Sequence, residues 1–255
     1  MDVVREALKG LYTHTVGRRI IHFSRVGSTM DVAAQEGRAG APEGTVVVAD
    51  EQTRGRGRLE RTWVSLADNL HLSVLLRPEP EVAPLIMVVA GVVLVRAIRD
   101  VTGLRARLKW PNDVILRGRK VAGILAEGVT AQSGESYAVL GIGVNVNSDL
   151  SDMPELASTA TSLSRETGAP LEKGTLLRRI LQELDYLYRG LQQGQVPLDE
   201  WRGYLDTLGC RVRVEWRGEV RRGLAEDVDE RGSLVLRSDD GSRVTLPAGE
   251  VSYLR

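Results

Sequence analysis

The chain has 255 residues, with 34 lysines plus arginines against 34 aspartates plus glutamates, so its formal net charge is zero. That length can hold one large domain, or a large one with a small appendage, over a substantial core, and the charge balance excludes a general nucleic-acid binder, whose affinity comes from accumulated positive charge. A single cysteine, Cys210, excludes an intrachain disulfide or a cysteine zinc cluster and points to a cytoplasmic protein.

The amino terminus carries no signal-peptide pattern, and no repeat, heptad or low-complexity tract is present. β-Branched residues over 19–25 and 44–51 predict two strands, with a short helix over 28–37 ended by glycine. Residues 69–77 alternate as a strand. The apolar run 84–95 is too short to span a bilayer and is broken by Arg96; it predicts a buried helix, continuing to 100, with Pro84 in its first turn. Short strands follow around 105–109, 114–116, 120–127 and 137–145, then helices over 171–188 and 198–208. The first of these helices is marked by Leu176, Leu177, Ile180, Leu181, Leu184 and Leu187 at helical spacing. The order predicts an α+β fold, a mixed β-sheet with helices on one face.

From Cys210 onward the sequence changes in kind. Short alternating strands are punctuated by Arg217-Gly218, Arg231-Gly232 and Asp240-Gly241, which predicts a small β-barrel packed on the main unit. The chain is therefore divided into a catalytic domain over 1–208 and a C-terminal domain over 209–255.

Three segments carry candidate chemistry. The run Glu51-Gln-Thr-Arg-Gly-Arg-Gly-Arg-Leu-Glu-Arg-Thr-Trp63 packs four arginines and two glycines between an apolar strand and a tryptophan. Glycines let backbone N–H groups turn inward, and Arg54, Arg56, Arg58 and Arg61 offer fork-shaped donors for carboxylate or phosphate. Alone, such a loop reads equally as a solvated basic turn. Trp110-Pro111-Asn112-Asp113 makes a polar turn whose Asn112 and Asp113 can point into a site, and Lys120 leads an apolar strand where an inward lysine needs an anionic partner. Gly123 removes a side chain from that strand, as a close-lying ligand or backbone requires. Gly141-Ile-Gly143-Val-Asn145 offers a strand end for a flat ligand, or simply a glycine-rich turn. Walker A and dinucleotide fingerprints are missing, since there is no Gly-Lys dipeptide and Glu60 stands where the third glycine belongs. His14, His22 and His71 stand without a second ligand at metal spacing and read as surface or structural residues, so no resident metal is expected.

Together these segments resemble the biotin protein ligases, also called biotin–[acetyl-CoA-carboxylase] ligases. The matching pieces are Gly27-Ser28-Thr29, Gln52 with Gly55-Arg-Gly-Arg58 and Trp63, Lys109-Trp-Pro-Asn-Asp113, Arg119 to Glu127, Gly141-Ile-Gly-Val-Asn145, and Gly249-Glu-Val-Ser near the end. The resemblance implies a class II aminoacyl-tRNA synthetase/biotin ligase-like sheet with a small SH3-like barrel. It implies that Ser28, Thr29 and Gln52 hydrogen-bond the ureido ring of biotin, that Gly55, Arg56, Gly57 and Arg58 fold over its carboxylate and the adenylate phosphate, and that Gly123 leaves room for it. Lys120 is expected at the reacting phosphate and acyl oxygens, Trp63 and Asn145 at the adenine, and Asn112 and Asp113 where the acceptor lysine arrives.

The implied reaction needs no histidine. Biotin's carboxylate, of a class with pKa about 4, attacks the α-phosphate of ATP once Arg56, Arg58, Lys120 and Mg²⁺ neutralise the charge. A lysine of a biotin carboxyl carrier protein domain then attacks the adenylate, with Asp113 orienting it electrostatically. Met30 and Glu60 depart from the family's usual asparagine and glycine. Fewer than thirty residues precede Ser28, leaving no room for a winged helix-turn-helix, so no operator binding and no membrane partner are expected. A homodimer is expected from the resemblance. Lipoate attachment and a non-catalytic biotin-binding module are the alternatives.

Overall fold

The computed structural model describes residues 3–59, 61–66, 68–130, 136–150 and 153–254. Glu60, singled out above, lies outside the described residues. A short helix, α1 (Val3–Leu8), leads into β1 (Ile20–Val26). The next helix, α2 (Thr29–Arg38), starts where it does because Ser28 is extended and its Oγ accepts from the Met30 N–H. Then come β2 (Val46–Gln52), β3 (Leu70–Leu76) and α3 (Ile86–Thr102), which ends on left-handed Gly103. Pro84 lies in a 3₁₀ turn, Ala83–Leu85, that leads into α3. Four strands follow: β4 (Arg107–Lys109), β5 (Asp113–Leu116), β6 (Arg119–Thr130) and β7 (Ser136–Val144). After α4 (Pro154–Ala157), α5 (Leu163–Thr167), α6 (Lys173–Gln192) and α7 (Leu198–Tyr204), the chain ends in β8 (Arg211–Trp216), β9 (Glu219–Val228), β10 (Leu234–Arg237), β11 (Arg243–Leu246) and β12 (Glu250–Tyr253).

The first seven strands form one mixed sheet in the order β1-β2-β3-β7-β6-β5-β4. Among the described strands of this sheet only the pair β1 and β2 runs parallel, and α2 supplies the crossover that a parallel pair requires. Alternation along β2 splits its side chains: Val46 and Val48 join the large core with α3 and α6, while Val47 joins Met30, Ala33 and Ala34 of α2. The long helices thus share one face of the sheet, and the short α2 covers part of the other. All six leucine and isoleucine positions expected on α6 are buried.

The C-terminal strands form an antiparallel sheet in the order β11-β10-β9-β8-β12. It is not closed into a barrel, which corrects the expectation. The last strand pairs with β8 rather than β11, and closure is unnecessary because the sheet's apolar face is already covered: Val212, Val214, Leu234, Leu236, Leu246 and Val251 belong to the same buried cluster as the large sheet's core. Trp110 joins the two parts; its backbone N–H donates to Thr207 Oγ1 at 2.9 Å and its indole Nε1 to Gly232 O at 3.0 Å.

Candidate active site

Between β2 and β3 the basic loop folds back on itself. Arg56 and Thr62 form an antiparallel bridge, Gly57 N–H donates to Arg61 O at 2.7 Å, and Trp63 N–H donates to Gly55 O at 3.0 Å. The indole of Trp63 is thereby laid on the centre of the large sheet. Its floor is made of two glycines that face each other across β6 and β7, Gly123 and Gly143. A Cβ on Gly143 would come within 2.6 Å of the indole, and one on Gly123 within 2.9 Å, so neither position has room for a side chain while the ring lies there. The Trp63 Nε1 is buried without a hydrogen-bond partner among the described residues.

Among the basic side chains that line the cavity over this floor, Lys120, Arg56 and Arg58 are each held by groups of the protein itself. Lys120 Nζ is 2.6 Å from Asp113 Oδ1, an ion pair whose angles fall outside hydrogen-bond geometry, and 5.4 Å from the Trp63 ring centroid. A β-bulge brings Lys120 there: Val114 pairs with Ala122 and Ile115 with Lys120, leaving Val121 as the extra residue, and the backbone of Lys120 bonds instead to Thr159 and Thr161. Arg56 Nη2 lies 3.2 Å from Asp31 and 3.1 Å from Glu127. Arg58 donates to Asn112 Oδ1 at 3.3 Å and to Gly249 O at 3.0 Å. Burial lowers the Arg58 pKa from its ordinary value, against the attraction of Asp113 and Glu250, yet a guanidinium stays charged. Arg61 Nη2 donates to both carboxylate oxygens of Glu250, at 2.5 and 2.6 Å.

At the other end of the cavity, Gln52 Oε1 accepts from the Thr29 N–H at 2.8 Å and from Thr29 Oγ1 at 3.0 Å. A backbone N–H can only donate, so the amide oxygen must face Thr29 and the Gln52 NH₂ is left for a ligand. Asn112 is tied to β6 in both directions, Nδ2 to Ile124 O at 3.1 Å and Ile124 N–H to Asn112 O at 3.0 Å.

The structure thus brings Thr29, Gln52, Arg56, Gly57, Arg58, Trp63, Asn112, Asp113, Lys120 and Gly123 around one cavity. Three expected residues stand behind it. Ser28 is spent on the α2 cap. Gly55 backs onto the Trp63 carbonyl, 2.5 Å from where its Cβ would be. Asn145 accepts from Asn69 at 3.0 Å and donates to Thr161 O at 3.1 Å, so both ends of its amide are used inside the protein and it holds the segment beside Lys120. The segment Gly249-Glu-Val, quoted above for the resemblance but given no place at the site, forms a C-terminal wall of the cavity at the start of β12. Sequence reasoning missed Asp31 and Glu127 as partners of Arg56. Met30 does line the cavity, its Sδ 2.7 Å from where a Cβ on Gly141 would sit.

A mixed sheet carrying an arginine-glycine loop, a lysine at a bulge and the Thr29–Gln52 pair defines a class of site that offers cations to an anionic group at one end and amide donors to a polar group at the other. Comparison with known proteins makes the class specific. The model of the Biotin/lipoate A/B protein ligase family matches residues 22–147, and that of the Biotin protein ligase C terminal domain matches residues 207–254. A biotin–[acetyl-CoA-carboxylase] ligase of Mycobacterium tuberculosis is 33% identical over 249 residues, covering 93% of this chain and 90% of the relative. The bifunctional ligase/repressor BirA of Bacillus subtilis is 34% identical over 238 residues, covering 91% of this chain and 73% of that protein. The structure of biotin protein ligase from Aquifex aeolicus in complex with biotin and ATP superposes with a TM-score of 0.80 at 27% identity, covering 93% of this chain and 99% of that one. The chain belongs to the biotin protein ligase family, whose members are enzymes of ATP-dependent biotin attachment.

Proposed function

We propose that both half-reactions of biotin ligation run in the cavity bounded by Thr29, Gln52, Lys120 and the basic loop. The Gln52 amide and Thr29 take the ureido ring, and Ser28 supports them as the α2 cap. Arg56, Arg58 and Lys120 neutralise the carboxylate and α-phosphate as biotinyl-5′-AMP forms and pyrophosphate leaves. Mg²⁺, which takes oxygen ligands and keeps waters, would be held by phosphate oxygens, with Asp113 and Glu250 as the carboxylates that line the cavity. The observation that carries this reading is that Lys120, Arg56, Arg58 and the Thr29–Gln52 pair line one cavity.

Each cation has a protein partner to exchange for a substrate anion. For Arg56 and Lys120, binding biotin and ATP means trading Asp31, Glu127 and Asp113 contacts for carboxylate and phosphate oxygens, an exchange of like for like that costs less than stripping water from bare charges, while Arg58 gives up the neutral oxygens of Asn112 and Gly249. Trp63 flanks the adenine in this reading, and Asn145 serves the site indirectly by fixing residues 159–163. The released Asp113 orients the acceptor lysine of a biotin carboxyl carrier protein domain. The reading includes a division of the chain at 208/209, supported by the separate C-terminal sheet, and a homodimer in the cytoplasm, supported by β1 standing at the edge of the large sheet.

Incubation of the protein with ATP, Mg²⁺, biotin and a carrier domain, followed by mass spectrometry, should add one biotinyl group to the carrier. An intact, biotin-binding preparation that labels no carrier overturns the reading in favour of a binding module, and tighter binding of lipoate than biotin overturns the substrate.

A further inference from the structure

We propose that His71 is a positioning residue for biotin binding, a buried neutral imidazole that fixes Gln52 through the hydroxyl of Ser65. The inference rests on the ligase reading above. His71 is the second residue of β3, paired with Ala49 of β2 on one side and Gly143 of β7 on the other, and is fully buried. By the two-residue period of a strand, its side chain shares a face with that of Ser73.

Both side chains are ends of one polar chain. His71 Nε2 lies 2.7 Å from Ser65 Oγ. Ser65 Oγ accepts the Gln52 backbone N–H at 2.8 Å. The Gln52 side chain accepts from Thr29, whose Oγ1 lies 2.8 Å from Ser73 Oγ. The circuit leaves β3 at position 71, passes through the exit of the basic loop, the end of β2 and the start of α2, and returns to β3 at position 73. It ties the end of β2 to the start of α2, the two elements proposed to take the ureido ring, through Ser65, two residues beyond Trp63.

The protonation of the ring follows from its other nitrogen. Nδ1 is buried with no hydrogen-bond partner among the described residues. A bare lone pair there costs less than a buried N–H without an acceptor, so the proton belongs on Nε2, donated to Ser65 Oγ and shared with Leu66 O at 3.4 Å. Burial holds the imidazole well below its ordinary pKa, at about 4, with Lys173 pushing the same way and the Leu66 carbonyl and Asp50 opposing. The ring is then a fixed donor. Ser65 Oγ receives two hydrogen bonds, from Nε2–H and from Gln52 N–H, and cannot rotate away from either.

Substitution separates this role from mere filling of space. In His71→Gln the side-chain amide nitrogen can take the place of Nε2; in His71→Asn it falls short, near Nδ1; His71→Leu fills volume with no donor. Biotin affinity measured by calorimetry should fall about tenfold in His71→Leu, His71→Asn and Ser65→Ala, the scale of one buried hydrogen bond. It should stay within about threefold of wild type in His71→Gln, and His71→Leu combined with Ser65→Ala should lose no more than either alone. ATP affinity should be unchanged throughout. A Leu variant that binds biotin like wild type, equal losses in Gln and Asn, or additive losses in the double variant would overturn the proposal. Carrier labelling by wild-type protein, run in parallel, tests the ligase reading by itself: its failure leaves the calorimetric comparison to decide His71, and wild-type protein that binds no biotin overturns both.

Discussion

The indole of Trp63 rests on Gly143, so closely that a methyl group on that glycine would lie 2.6 Å from the ring. Gly143 belongs to a central strand bonded on both sides, to β3 and to β6, so the backbone has little freedom to yield. The ring must move instead, and with it the end of the basic loop. Gly143→Ala is therefore expected to fold, at a cost of about 1–3 kcal/mol, while adenylate formation falls about a hundredfold. Thermal unfolding and pyrophosphate release measure the two effects separately; an alanine variant with wild-type adenylation would show that the floor need not be bare.

Lys120 has a different dependence. Its ammonium is paired with Asp113 and lies beside the Trp63 ring, so truncation removes a charge from the reacting centre and leaves Asp113 without its cation. Lys120→Ala should lower adenylation by at least about a hundredfold, the scale of a lost electrostatic contact to developing charge, and weaken biotin binding by much less. A loss confined to biotin affinity, with turnover intact at saturation, would reassign the residue to binding.

The Arg61–Glu250 pair joins the basic loop to the C-terminal sheet, with the Arg61 side chain 67% exposed. An exposed pair of this kind adds little to global stability, but beside the Arg58–Gly249 bond it ties the loop to the C-terminal segment. Glu250→Ala should leave the unfolding temperature within a degree or two and make the loop cut faster by trypsin, with protection restored by biotin and ATP. Equal cleavage of variant and wild type, or no protection by ligand, would mean that neither the sheet nor the substrates hold the loop.

Local patterns carried much of the fold. The strands at Ile20–Val26 and Val46–Gln52 lie where β-branched residues put them, Leu70–Leu76 where alternation does, and the leucine-spaced helix Lys173–Gln192 where helical period does. Helices of four to six residues, α1, α4 and α5, were missed because so short a segment owes its existence to packing rather than to its own period. The α5 helix did carry a signal, a Ser162 cap and a left-handed Gly168. In the site, the residues legible in sequence were those whose type is odd for their surroundings: arginines among glycines, a lysine in an apolar strand. Asp31, Glu127 and Glu250 are ordinary surface acids until the fold puts an arginine beside each, and His71 looks inert until its strand places it against Ser65.

His71 also gives the fold a dependence on pH with a definite sign. Its pKa falls from 6.5 in the unfolded chain to about 4 in the folded one, burial being the main cause. Between those values the unfolded chain binds a proton that the folded one refuses, so stability is complete above pH 6.5, declines as pH falls toward 4, and loses nothing further from this group below that. The full shift corresponds to about 3 kcal/mol, an upper bound because partial opening would admit water to the ring. Carboxylates titrate in the lower part of the same window, so the quantity to measure is the difference between wild type and His71→Gln, which retains the hydrogen bond and cannot be protonated. Urea unfolding at pH 7.5 and 4.5 should show wild type losing about 2 kcal/mol more than the glutamine variant. Parallel losses in the two proteins would mean that the imidazole takes up its proton in the folded state, and that the donor to Ser65 is a cation rather than a neutral ring.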